Sequence, residues 1–148
     1  MTGVIGRVDL RTGSLELVNA GHVAPYWVRG KDVRTLRLPA DFPFGLFSEA
    51  TFHNTHHVLA PGDRVVFVTD GMLDRNAASM DLIRAIRETM SLHPREAARA
   101  LADSVLEATG HALSDDATLL CLDWHGRHDL DRETSSGTEP ERASEPLA

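Results

Sequence analysis

Val65-Val66-Phe67-Val68-Thr69-Asp70-Gly71 is a short apolar run that ends in a carboxylate followed by a glycine. Its β-branched and aromatic residues, launched by the turn residues Ala60-Pro61-Gly62-Asp63, spell a buried central strand over Arg64 to Thr69. Such a strand delivers Asp70 at the rim of its sheet while the backbone turns away at Gly71. An ionised carboxylate held there needs a cation or several hydrogen-bond donors.

Working outward toward the C-terminus, Leu82, Ile83, Ile86 and Met90 share one helical face in a segment from Met80 to Met90. A second helix from Pro94 to Thr109 carries Ala98, Leu101, Ala102, Val105 and Leu106 on its stripe. Pro94 suits a first helical turn, and Gly110 suits the position just past the last one. Thr118 to Asp123 is the closing strand, and Ser114-Asp115-Asp116-Ala117-Thr118 places two adjacent carboxylates at its start. Toward the N-terminus, Val8, Leu10, Leu15 and Leu17 alternate about the turn Arg11-Thr12-Gly13, which is a β-hairpin pattern. Tyr26 to Arg29 and Val33 to Leu38 about Gly30-Lys31-Asp32 form a second hairpin, and Thr51 to Leu59 a further strand. Several antiparallel strands, one central strand, two helices and a last strand predict an α+β fold.

The chain has 148 residues, 42% hydrophobic and 25% charged, enough for one core. Its net charge of -7 supplies no basic field to collect phosphates, which argues against nucleic acid as a partner. A phosphorylated substrate would have to be bound through a cation. The single cysteine, Cys121, excludes an intramolecular disulfide and reads as a small buried hydrophobe. No apolar run is long enough for a membrane span, and Met1 to Asp9 lacks the pattern of a signal peptide, so no membrane association and a cytoplasmic location are expected. Residues 125–148 are rich in Glu, Ser, Arg, Pro and Gly and predict a disordered polar tail after a domain spanning 1–124.

Paired strand-end aspartates suit a hard divalent ion such as Mg2+ or Mn2+, which prefers oxygen ligands and keeps several waters. Either aspartate segment alone is also an ordinary turn. Strands 64–69 and 118–123 are the two most apolar of the chain and are expected to lie close in one core. Two other strand-end aspartate chemistries fit less well. A dehalogenase-type phosphatase requires a second Asp where this chain has Met72, and a receiver domain requires a lysine downstream, whereas the one lysine, Lys31, lies upstream of Asp70.

Five ordered pieces carry a resemblance: Val18-Asn19-Ala20-Gly21-His22, Phe42-Pro43-Phe44-Gly45-Leu46, Leu59-Ala60-Pro61-Gly62-Asp63-Arg64, Phe67-Val68-Thr69-Asp70-Gly71-Met72 and Asp115-Asp116-Ala117-Thr118-Leu119. Together, over Thr2 to Trp124, they resemble the PPM superfamily of Mg2+/Mn2+-dependent serine/threonine phosphatases, in its bacterial SpoIIE-type branch. The resemblance implies a layered α-β-β-α sandwich with a binuclear metal centre that hydrolyses phosphoserine or phosphothreonine without a phosphoenzyme. It implies Asp70 and Asp115 as ligands of one metal, with Gly71, Asp116, Asn19 and His22 as neighbours of the ligands or of the substrate. It also implies a phosphorylated regulatory protein, such as an anti-sigma factor antagonist, as substrate. The branch's upstream Gly-Gly-Asp motif, whose Asp bridges both metals, does not occur in this sequence. The expectation is therefore the C-terminal half of such a domain, with N-terminal strands and helices missing, one weak metal site at most and no catalysis alone. The alternative is a non-catalytic remnant that binds the phosphatase's partner. Missing strands leave unpaired edges, so self-association through them is expected as well.

Overall fold

A computed structural model describes residues 1–73, 81–110 and 116–126. Asp115 and most of the polar tail lie outside the described residues, as do Met80 and the segment before it.

Among the described residues seven strands and two α-helices follow one another as β1 (Gly3–Asp9), β2 (Ser14–Ala20), β3 (Tyr26–Arg29), β4 (Asp32–Thr35), β5 (Asn54–Val58), β6 (Asp63–Val68), α1 (Leu82–Glu88), α2 (Pro94–Ala108) and β7 (Leu119–Trp124). One sheet has the order β1-β2-β5 and the other β4-β3-β6-β7, and every pairing is antiparallel. The two apolar strands expected to lie close are direct neighbours, with Val65 opposite Leu122 and Val68 opposite Leu119.

The uninterrupted apolar run of β6 follows from its place between two cores. Val65 points into the core between the sheets with Leu15, Leu17, Trp27, Leu36, Leu59 and Trp124. Val66 and Val68 point the other way, against Leu82, Ile86, Leu101 and Val105 of the helices. A strand buried on both faces has no polar face to alternate with. Each of these side chains contributes about 1.5–3 kcal/mol by leaving water. The layers are therefore helices, β4-β3-β6-β7 sheet and β1-β2-β5 sheet, which agrees with the layered α+β expectation.

Local chemistry sets the element ends. In the β1–β2 turn, Gly13 has φ 74, and a Cβ there would lie 2.9 Å from the Leu59 carbonyl oxygen, so both conformation and space call for glycine. Asp81 caps α1 by accepting the Arg84 N–H, Pro94 occupies the first turn of α2, and Gly110 follows α2 with φ 61.

Two details differ from the sequence reading. Helix α1 stops at Glu88, before Met90, because the Thr89 N–H and hydroxyl both turn back to the Ile86 carbonyl. The buried line of α2 is Ala97, Leu101 and Val105: Leu101 and Val105 belong to the expected stripe and Ala97 joins them, while Ala98, Ala102 and Leu106 border an apolar groove beside β7.

Candidate metal centre

Strand β6 hands over to Asp70 through a clamp made by Thr69. The Thr69 N–H donates to the Thr118 carbonyl at 3.0 Å, and the Thr118 N–H donates to the Thr69 hydroxyl at 2.9 Å. The same hydroxyl donates to the Asp116 carbonyl at 3.3 Å. One threonine thus ties the end of β6 to the segment entering β7. The sequence reading did not single it out, although its place between the apolar run and Asp70-Gly71 is the signal that could have found it.

Asp70 opens a 3-10 turn that runs to Leu73, and its Oδ1 accepts the Gly71 N–H at 3.1 Å. Gly71 is buried against the Asp116 backbone. A Cβ on it would overlap the Asp116 carbonyl oxygen and lie 2.8 Å from the carbonyl carbon. Only a residue without a side chain lets the two acidic segments approach this closely. The structure therefore brings Asp70, Gly71 and Asp116 together, with Asp70 and Asp116 both exposed.

Among the described residues no ion pair reaches Asp70. No group of three or more His, Cys, Asp or Glu side chains able to hold a metal occurs among them either. The donor set is a solvent-facing carboxylate beside a second acidic segment. That chemistry fits a hard divalent ion holding one or two carboxylates and several waters, and does not make an all-protein cage.

Asn19 and His22 are joined in a turn of their own. Buried Asn19 accepts the His22 N–H at 2.8 Å through its side-chain oxygen and donates from its amide to the His22 carbonyl at 3.0 Å. The Asn19 carbonyl also accepts the Asp41 N–H at 2.9 Å. Asn19 thereby holds the turn after β2 and the connection that crosses it. The His22 ring borders the apolar opening between the sheets beside Phe67 and Leu120.

At the opposite end of β6 the charges are matched. Asp63, 2% exposed, receives the Arg29 guanidinium at 2.7 Å and the Ala60 N–H at 2.7 Å. Burial alone would push the Asp63 carboxyl up, but Arg29 and the Ala60 N–H outweigh it and hold it below the usual carboxylate range. Arg64 meets Asp123 with two bonds of 2.6 and 2.8 Å and donates to the Thr89 and Leu92 carbonyls. Asp123 holds the guanidinium's pKa above its ordinary value despite burial. Cys121, half-buried on β7, has its thiol pushed up by desolvation, in keeping with its reading as a small hydrophobe.

The family model described as Stage II sporulation protein E (SpoIIE) matches residues 1–125. The chain belongs to the SpoIIE family. The fold agrees: the phosphatase domain of SpoIIE from Bacillus subtilis, presoaked with Mn, superposes with a TM-score of 0.68 at 18% identity, over 86% of this chain and 57% of that one. The SiaA-PP2C domain of Pseudomonas aeruginosa matches with a TM-score of 0.67 at 26% identity, over 81% of this chain and 50% of that one. The RsbU and RsbW domains of Rv1364c from Mycobacterium tuberculosis give 0.66 at 26% identity, over 81% of this chain and 35% of that one. No curated protein sequence matched. The chain thus spans 57–61% of the length of two SpoIIE phosphatase-domain structures. The fold is that of part of a PP2C-type domain, and no helix among the described residues is long and apolar enough to cross a membrane.

Proposed function

We propose that these residues form the C-terminal part of a PPM-type protein serine/threonine phosphatase domain of the SpoIIE branch, with Asp70 and Asp115 as ligands of one Mn2+ or Mg2+. The observation that carries this reading is the packing of Gly71 on the Asp116 backbone, which sets Asp70 beside Asp116 with no cationic side chain paired to Asp70 among the described residues. In a two-metal hydrolase the ions supply an activated water and neutralise charge on the phosphoryl oxygens. This chain's own part is positional. Thr69 fixes the strand ends, Gly71 sets their separation, and Asp70 faces solvent where an ion and a phosphoprotein can reach it.

The substrate class is a phosphoserine or phosphothreonine protein of regulatory type, such as a cytoplasmic anti-sigma factor antagonist. The Gly-Gly-Asp motif that bridges the second metal in this branch is absent from the 148 residues, so they bind one ion weakly and do not turn over substrate alone. A second reading is a module that binds the phosphatase's partner without catalysis.

Calorimetric titration of the 148-residue chain with Mn2+ tests the site. One weak binding event that Asp70→Asn removes supports it, and equal binding by the variant overturns it. Mn2+-dependent hydrolysis of a phosphoserine peptide by the same chain, lost in Asp70→Asn, would keep the site and sink the claim of inactivity. Partner capture that survives Asp70→Asn would favour the non-catalytic module.

A further inference from the structure

His57 of β5 stands opposite Leu15 of β2, so its side chain faces the core between the sheets, while the next pair, His56 and Glu16, faces outward. The His57 ring crosses to the other sheet and meets the Trp27 indole of β3 edge to face, with centroids 5.6 Å apart and planes at 79°. Its Nε2 atom is buried and has no hydrogen-bond partner among the described residues. Two guanidiniums lie over the same indole, that of Arg29 on β3 at 4.7 Å from the ring centroid and that of Arg34 on β4 at 4.9 Å.

We propose that His57 is a proton-operated latch between the two sheets: neutral, it closes β5 onto Trp27, and its protonation in mild acid releases β5 from the sandwich. An imidazolium carries a hydrogen on both nitrogens, so the charged ring in this place would bury a donor with no acceptor as well as a charge.

The groups around the ring oppose that charge. Arg34 and Arg29 are cations, and the one carboxylate paired to them, Asp63 of β6, is held by Arg29 at 2.7 Å. Glu16 of β2 lies on the far face, where it meets Arg7 at 2.9 Å and His56 at 3.6 Å. His53, just before β5, has Asp41 at 2.7 Å. His57 is the one histidine of the three with no carboxylate beside it in the ion pairs of the described residues. Burial pushes its pKa below the ordinary imidazole value of 6.5, and Arg34 and His56 push the same way.

Strand β5 is one that such a latch can move, because none of its five residues is fully buried. Segments with little buried surface open at low free-energy cost. Neutral His57 favours the closed state. The latch is therefore fully closed above the ordinary value of 6.5 and weakens as pH falls below it through the lowered folded value.

Two measurements on the 148-residue chain test the latch. Titration of the His57 ring by NMR is expected to give a midpoint below 6.5, and a midpoint at or above it overturns the proposal. Hydrogen exchange, corrected for its intrinsic pH dependence, is expected to show β5 amides less protected than β6 amides near pH 7.5. By about pH 5.5 the β5 amides are expected to lose up to about tenfold in protection, the limit for one proton taken up over one unit below the ordinary value. His57→Leu, which cannot be protonated, is expected to remove that loss, and His56→Gln to keep it. A loss that survives His57→Leu overturns the latch. So do β5 amides as well protected as those of β6, because β5 is then freed by global unfolding alone. None of these readouts involves a metal, so they stand or fall separately from the Asp70 site.

Discussion

The two ends of β6 treat the same kind of side chain in opposite ways. At the start of the strand Asp63 is buried and answered by Arg29, and the next residue, Arg64, is buried and answered by Asp123. At its finish Asp70 is exposed, accepts the neighbouring Gly71 N–H and makes no ion pair among the described residues. A carboxylate that serves the fold is taken out of water together with its counter-charge, because a lone buried charge costs several kcal/mol. A carboxylate that serves a ligand is left in water, and its neighbours are arranged to keep room beside it. On the proposed metal-site reading, the packing of Gly71 on Asp116 is that arrangement. Distinguishing the two cases needs burial and partners, not residue type.

The contrast is most easily broken at the matched end. Replacing Arg64 by alanine leaves Asp123 and the Thr89 and Leu92 carbonyls without their donor, and is expected to cost about 3–5 kcal/mol in urea unfolding. A loss under 1 kcal/mol would mean that the buried pair does not hold the strand end.

Asp63 sharpens the contrast through pH. Its carboxyl is held below the ordinary value of about 3.9, so its stabilisation is complete above that pH and is lost as pH falls through the lower folded value. Asp9, Glu16 and Asp41 are held low too and contribute to the same acid limb. Asp63→Asn is therefore expected to be about 1–3 kcal/mol less stable near neutral pH, with the gap to wild type closing as pH falls below about 4 and through the lowered folded value. A gap that stays constant across that range would assign the loss to packing instead of charge.

The smallest effect belongs to Asp70. Asp70→Asn is expected to change unfolding free energy by no more than about 0.5 kcal/mol. A large loss would make Asp70 a structural carboxylate like Asp63.

Much of the architecture was legible because it rests on local pattern. Alternation in the first hairpin, the double-faced apolar run of β6, and Pro94 and Gly110 around α2 are properties of a few neighbouring residues. What escaped is what depends on register between distant segments. Arg64 and Asp123 sit at polar interruptions of two apolar strands, but only the antiparallel pairing that sets Arg64 opposite Asp123 makes them partners. The bonds of Asn19 to His22, three residues on, were within local reach, since a short polar side chain bonding its own chain is ordinary turn chemistry. At the site itself, Asp70 and Gly71 were readable from the end of a buried strand. The role of Thr69 was not, because it needs the backbone of residues 116–118 to be there.

The connection between β4 and β5 has no regular element of its own, yet the Leu36 N–H donates to the Pro25 carbonyl and the Asp41 N–H to the Asn19 carbonyl. Further along, the Phe44 N–H donates to the Met1 carbonyl, while the His53 N–H and ring reach the Asp41 carboxylate. Loop closure costs entropy that grows only with the logarithm of length, so one long span could be closed cheaply but would wander. Cut at these points, the connection behaves as a series of short spans tied to the sandwich, and its exposed phenyl groups, Phe42 and Phe47, stack edge to face on an anchored stretch. Apolar surface held out in this way meets a partner with little left to order, so the entropy of arranging it is lost on folding and not again on contact.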